Sequence, residues 1–149
     1  MANYYDMTSF NIEIKNKEFI KDLMIIFQEY DDESITVTPT WFQNVFYQEN
    51  FPEPEPLGID YSIENDMLWI RAEEYFNISI FANIVRVALK HYNLNDCVCF
   101  EVSHSCSKMY IDQFGGSGVF ITKDNVEIFS TSDWVRSKKE AHRLSPYKK

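Results

Sequence analysis

Near the start of the chain apolar and polar residues alternate: Phe10, Ile12 and Ile14 are interleaved with Asn11, Glu13 and Lys15. A period of two predicts a half-buried strand. Asn16 offers a side-chain oxygen as N-cap, and apolar positions 19, 20, 23, 24, 26, 27 and 30 then trace one broad helical face. Asp31, Asp32 and Glu33 end that helix, where negative charge opposes the helix macrodipole. Residues 34–40 predict a short strand that Pro39 confines to a sheet edge. Trp41, Phe42, Val45, Phe46 and Tyr47 predict an aromatic turn or short helix, and Pro52, Pro54 and Pro56 a stiff extended connection.

Alternation returns at Ile59, Tyr61 and Ile63. Asn65-Asp66 supplies a tight turn, and residues 67–72 come back as the second strand of a hairpin. A helix is predicted over 76–92, with Phe81, Ile84, Val85, Ala88 and Tyr92 on one face; Lys90 and His91 suit its C-terminal end, and Asn93 its stop. A strand at 97–103, a loop containing Gly115 and Gly116, and a hairpin of 119–122 with 126–130 complete the pattern. The expected class is α+β: a ferredoxin-like split βαβ, in the order β-α-β-β-α-β, with an irregular Pro/aromatic insertion and an extra C-terminal hairpin. Residues 1–134 form one domain, and 135–149 a basic tail expected to fray or dock loosely.

Composition narrows the class. The 149 residues are 45% hydrophobic and 16% aromatic, enough for one ordinary core. The opening MANYYDMTSF has no basic or apolar leader, and no apolar run approaches the roughly 20 residues of a membrane span. Three cysteines make no disulfide framework, so a reducing, cytoplasmic setting is expected, that of the host cell if the protein is phage-encoded.

Charge is the most informative feature. The net charge is −9, yet residues 132–149 carry +4; residues 29–74 carry twelve carboxylates against Arg71 alone, for −11. No lysine occurs between positions 22 and 89. A field of this sign repels nucleic acid, so direct nucleic-acid binding is not expected; it suits a basic partner or plain solubility.

Candidate chemistry is thin. Cys97, Cys99, His104 and Cys106 are four potential zinc ligands within ten residues. A continuous strand would put the first two on one face and the last two on the other, so no metal or cofactor is expected. His104 and Cys106 share a face, which makes Cys106 a weak nucleophile candidate. The Gly115–Gly118 stretch feeds a strand rather than a helix, lacks Lys-Ser/Thr and misses the G-x-S-x-G elbow, so a structural role is expected for it. No catalytic set emerges, and the protein is expected not to be an enzyme.

Residues 105–107 through 114–116, then 119–122 and 130–134, resemble segments of small phage and mobile-element proteins, over about thirty residues. That resemblance implies an accessory protein of a phage or prophage, a group that includes inhibitors of CRISPR and restriction enzymes, some of them acidic DNA mimics. It carries over no functional residue. With the charge it leads to a non-enzymatic acidic inhibitor that blocks a basic, nucleic-acid-binding host defence protein. Its expected contacts are Asp31, Asp32, Glu33, Trp41, Phe46, Glu53, Glu55, Asp60 and Glu64. An immunity or antitoxin protein capping a basic nuclease fits the same physics, and a small metal- or ligand-binding ferredoxin-like enzyme using residues 97–106 is the third class. No membrane partner is expected, and a homodimer is compatible with an open sheet edge.

Overall fold

A computed structural model describes residues 3–35, 38–111 and 113–144. The chain is α+β, with a six-stranded antiparallel sheet and four helices among those residues. In order they are β1 (Tyr4–Ile12), α1 (Lys17–Asp31), α2 (Thr40–Gln48), β2 (Asp60–Glu64), β3 (Met67–Ala72), α3 (Ile78–His91), β4 (Val98–Cys106), β5 (Gly115–Ile121), β6 (Val126–Ser130) and α4 (Thr131–Arg143). Across the sheet the strands run β2-β3-β1-β4-β5-β6.

Local chemistry explains most boundaries. Asn16 caps α1 by accepting from the Phe19 N–H at 3.0 Å, and Asn77 caps α3 through the Ile80 N–H at 3.2 Å. Asn65 and Asp66 both have positive φ, 52° and 62°, the pair of left-handed residues that a two-residue hairpin turn needs. They set the β2–β3 register that pairs Glu64 with Met67 and Tyr61 with Ile70.

One face of the sheet is the core. Phe10, Ile12, Leu68, Ile70, Phe100, Val102, Val119 and Ile121 point toward α1 and α3, with Phe27 of α1 and Phe81 of α3 stacked at 5.4 Å between them. The opposite face carries Ser9, Asn11, Cys99, Glu101, Ser103 and Phe120, all exposed. Asp22 on α1 is buried and accepts hydrogen bonds from Trp41 Nε1 of α2 at 2.9 Å and from the Tyr92 hydroxyl beyond α3. One carboxylate thereby joins three helical segments. Burial first, then the bond to Asp22, pushes the Tyr92 hydroxyl up to about 12.

Three expectations change. Among the described residues of 34–40 there is no strand: Pro39 instead accepts from the Phe42 and Gln43 N–H groups at the start of α2, and residues 36 and 37 lie outside the described part. Gly115 and Gly116 belong to β5 rather than to a loop. The boundary placed after Trp134 falls inside α4, which Ser130 caps through the Asp133 N–H at 3.3 Å and which runs to Arg143. Every residue of α4 is exposed. Residues 145–149 of the expected tail lie outside the described part.

Candidate functional site

The acidic residues divide into those that gather and those that do not. Asp31 closes α1, Asp32 is its C-cap, and Glu33 follows in the left-handed region at φ 54°. The Glu33 N–H bonds to the Tyr30 carbonyl and the Ser34 N–H to that of Glu29, a helix-ending turn in which glycine is usual. The equivalent turns after α2 and α3 use Asn50 and Asn93, which tolerate this conformation. Placing Glu there costs about 1 kcal/mol and adds a third negative charge to the negative end of a helix with no basic residue in its last turn.

Asp60, at the start of edge strand β2, completes the corner. Burial, then Asp32, then Asp60 raise the Asp31 carboxyl above its ordinary range, opposed by a hydrogen bond from the Leu57 N–H. Asp31 and Asp32 also reinforce the rise that burial imposes on Tyr61. Tyr61 donates to Gln28 Oε1, and Gln28 Nε2 to Asp32, both at 3.3 Å. Arg71 lies across the strand pair from Asp60. Its guanidinium, however, sits 4.0 Å over the Trp69 ring and donates to Ser62 Oγ at 3.1 Å. Four carboxylates, Asp31, Asp32, Glu33 and Asp60, therefore occupy one corner.

The remaining expected contacts have other places. Glu64 ends β2, about 13 Å along the strand from Asp60, and accepts from Ser62 Oγ at 3.4 Å. Glu55 accepts from Asn77 Nδ2 at 2.6 Å, beside the positive end of α3. Glu53 is exposed. Trp41 is half-buried, bonded to Asp22 and stacked on His91 at 4.3 Å. Phe46 is 6% exposed, packed against Phe42 and Phe51; the expectation that it contacts a partner is corrected, because its ring is core.

The described C-terminal cations, those of α4, lie at the opposite edge of the sheet from the acidic corner. α4 follows β6 at the other edge of the sheet and packs on β5 and β6. Arg136 pairs with Asp133 at 3.0 Å and Arg143 with Glu140 at 3.6 Å, both within α4.

A pH dependence follows from Asp31. Its raised carboxyl holds a proton more tightly in the folded chain than in the unfolded one. The stability it contributes is complete below the ordinary carboxylate range and is lost as pH rises through the raised value. Asp31→Asn is therefore expected to melt at a higher temperature than the parent at pH 7, with the gap closing toward about pH 3. Paired melts across that range check it, and a constant gap would contradict the coupling.

A second polar constellation lies on the core-side face where the helices leave it partly open. His104 Nδ1 is 2.8 Å from Asp6 Oδ1, and His104 Nε2 is 2.7 Å from Ser117 Oγ. The His104 and Asp6 side chains are 33% and 31% exposed. Sequence reasoning weighed His104 only with Cys97, Cys99 and Cys106 and missed Asp6 and Ser117 as its partners. The three sit at positions 6, 104 and 117, and only the register, Asp6 opposite His104 and His104 opposite Gly115, brings them together.

In β4 the cysteines diverge as a continuous strand requires. Cys99 is exposed on the open face, Cys106 is buried on the other, and Cys97 is exposed just before the strand. Burial, followed by the neighbouring Cys99, raises the Cys97 thiol. No group of three or more metal-ligating side chains converges among the described residues. The chain matches no protein-family model, no curated protein and no solved structure.

Proposed function

We propose that this protein is an acidic binding protein that uses the corner of Asp31, Asp32, Glu33 and Asp60 to engage a basic, nucleic-acid-binding protein, as a phage-encoded inhibitor of a host defence system would. One observation carries the reading. Carboxylates that repel one another are held together where a helix end already disfavours them, with Glu33 in a position that suits glycine. Such an arrangement lowers folding stability, so solubility alone is a poor reason for it; a cationic partner would relieve the repulsion and gain steering from it. We also read β1, α1, β2, β3, α3 and β4 as a ferredoxin-like split βαβ. The antiparallel order β2-β3-β1-β4 supports this, with α2 inserted and β5, β6 and α4 added.

The test is capture of basic nucleic-acid-binding proteins from a bacterial lysate by the immobilised chain, at low and high salt. The parent should retain them at low salt and release them as salt rises. Reversing the corner with Asp31→Lys, Asp32→Lys and Asp60→Lys should abolish retention and remove the salt dependence. Equal capture by parent and variant would overturn the assignment.

A further inference from the structure

Neighbouring strands β1, β4 and β5 contribute Asp6, His104 and Ser117 to one hydrogen-bonded chain. We propose that this chain is a nucleophilic hydrolase site for activated esters, with Ser117 as nucleophile, His104 as its general base and Asp6 as the residue that positions the imidazole. An ionised Asp6 only accepts, so His104 Nδ1 carries the hydrogen. In the neutral ring Nε2 then has a lone pair to accept the Ser117 hydroxyl. This is the order of roles that activates a serine: acid, oriented imidazole, hydroxyl.

Three features distinguish the chain from a buried structural network. The His104 and Asp6 side chains are each about one-third exposed, so the chain borders solvent rather than lying within the core. The residue opposite His104 is Gly115, at φ 155°, where an added Cβ would come within 3.0 Å of the Thr131 and Ser132 hydroxyls. Glycine there avoids a clash with the first turn of α4. Ser117 is also paired directly with Ser130, the N-cap of α4. The first-turn N–H groups of a helix have no intrahelical acceptor and carry the positive end of its macrodipole. The residue across the strand pair from Ser117 is thus the one from which α4 starts, and the positive end of that helix would favour negative charge developing nearby.

In the reaction, Ser117 Oγ bonds to the ester carbonyl carbon as its proton passes to His104 Nε2. The ester C–O bond then breaks, the leaving oxygen takes that proton from His104, and an acyl-serine remains. Water, activated by the same imidazole, hydrolyses the acyl-serine and restores the hydroxyl. A depression of about 470 Å³ starts at the same turn of α4, lined by Phe114, Val135, Arg136 and Lys139 besides Thr131 and Ser132. Ser117 and His104 do not line it, but an ester reaching from Ser117 into it would meet apolar side chains beside Lys139, Arg136 being paired with Asp133, which suits an anionic group next to an apolar one.

A fluorophosphonate probe tests the site on the full chain, because an activated serine forms the P–O bond as fluoride leaves. Peptide mass spectrometry should place the label on Ser117, at a rate that rises with pH through the imidazole range. His104→Gln should slow labelling about 100-fold. Asp6→Asn should slow it and displace the pH profile, with partial recovery in Asp6→Glu, a pattern that simple loss of packing would not give. A p-nitrophenyl hemisuccinate should be hydrolysed faster than p-nitrophenyl acetate, and Lys139→Glu should erase that preference. Absence of label on Ser117, or equal labelling in a folded His104→Gln, would overturn the proposal. Should His104→Gln not fold, the parent decides: a flat labelling rate between about pH 5 and pH 9 would overturn it equally.

Discussion

Phe81→Ala is expected to lower the unfolding free energy by about 4 kcal/mol and the melting temperature by more than about 10 °C. Phe81 is fully buried on α3, surrounded by four other phenylalanines. Its ring lies 5.4 Å from Phe27 of α1, 5.3 Å from Phe76, 5.6 Å from Phe100 of β4 and 6.0 Å from Phe10 of β1. Three of these contacts are edge-on, at interplanar angles between 70° and 83°, the geometry that adds about 0.5–1.5 kcal/mol to area burial. Truncation would open a cavity between sheet and helices that stiff rings cannot collapse to fill. Phe81→Leu should recover more than half of the loss. Urea unfolding of the three proteins measures it, and a loss below about 1.5 kcal/mol for alanine would show that the ring cluster is not the keystone of the core.

Gly58→Ala is the second large effect, and its cause lies in the backbone. Gly58 has φ 82°, and a Cβ there would fall 2.1 Å from the carbonyl oxygen of Tyr75 and 2.8 Å from its ring. The approach is fixed on either side. Leu57 is fully buried and accepts from the Asn77 N–H at 2.9 Å, tying the end of the proline-rich connection to the entry of α3. A left-handed alanine costs about 1–2 kcal/mol, and separating two backbone segments adds about 1–3 kcal/mol. The expected total is about 3 kcal/mol, seen as a melting temperature about 10 °C lower. Gly118→Ala is the control, since a Cβ there meets nothing within 4 Å; its effect should stay within about 0.5 kcal/mol. Equal effects at the two glycines would refute the steric account.

What could be read from the sequence was local. The cap at Asn16, the turn at Asn65-Asp66 and the broad apolar face of α3 each depend on neighbours a few positions away, and each is where its pattern placed it, whereas the strand expected from the alternation of Phe10, Ile12 and Ile14 runs instead from Tyr4 to Ile12 and stops short of Ile14. α4 was misread because its apolar content is low and none of it is buried. Its N-cap, its i,i+3 ion pairs and a basic last turn hold it instead, signals easily taken for a solvated tail. Charge count identified an acidic middle third but not which acids meet. Asp31 and Asp60 stand 29 positions apart and are joined by the approach of β2 to the end of α1. Phe46 looked like a surface anchor since an aromatic among polar residues reads the same whether it faces in or out. Asp6, His104 and Ser117 were the least accessible to such reasoning, because strand register, which no local pattern encodes, creates their contact.

The two borders of the sheet carry opposite charge. One has the corner of Asp31, Asp32, Glu33 and Asp60, and the other the basic helix that follows β6. Five interstrand spacings put roughly 24 Å between β2 and β6. Separated charge of this kind gives the molecule a permanent electric moment along the direction of strand stacking. In the field of a large cation it would rotate before contact, presenting one border and withdrawing the other. Replacing Lys138 and Lys139 with neutral residues takes the net charge from −9 to −11 and should speed association with such a cation through the larger net charge, while leaving the lifetime of a formed complex nearly unchanged.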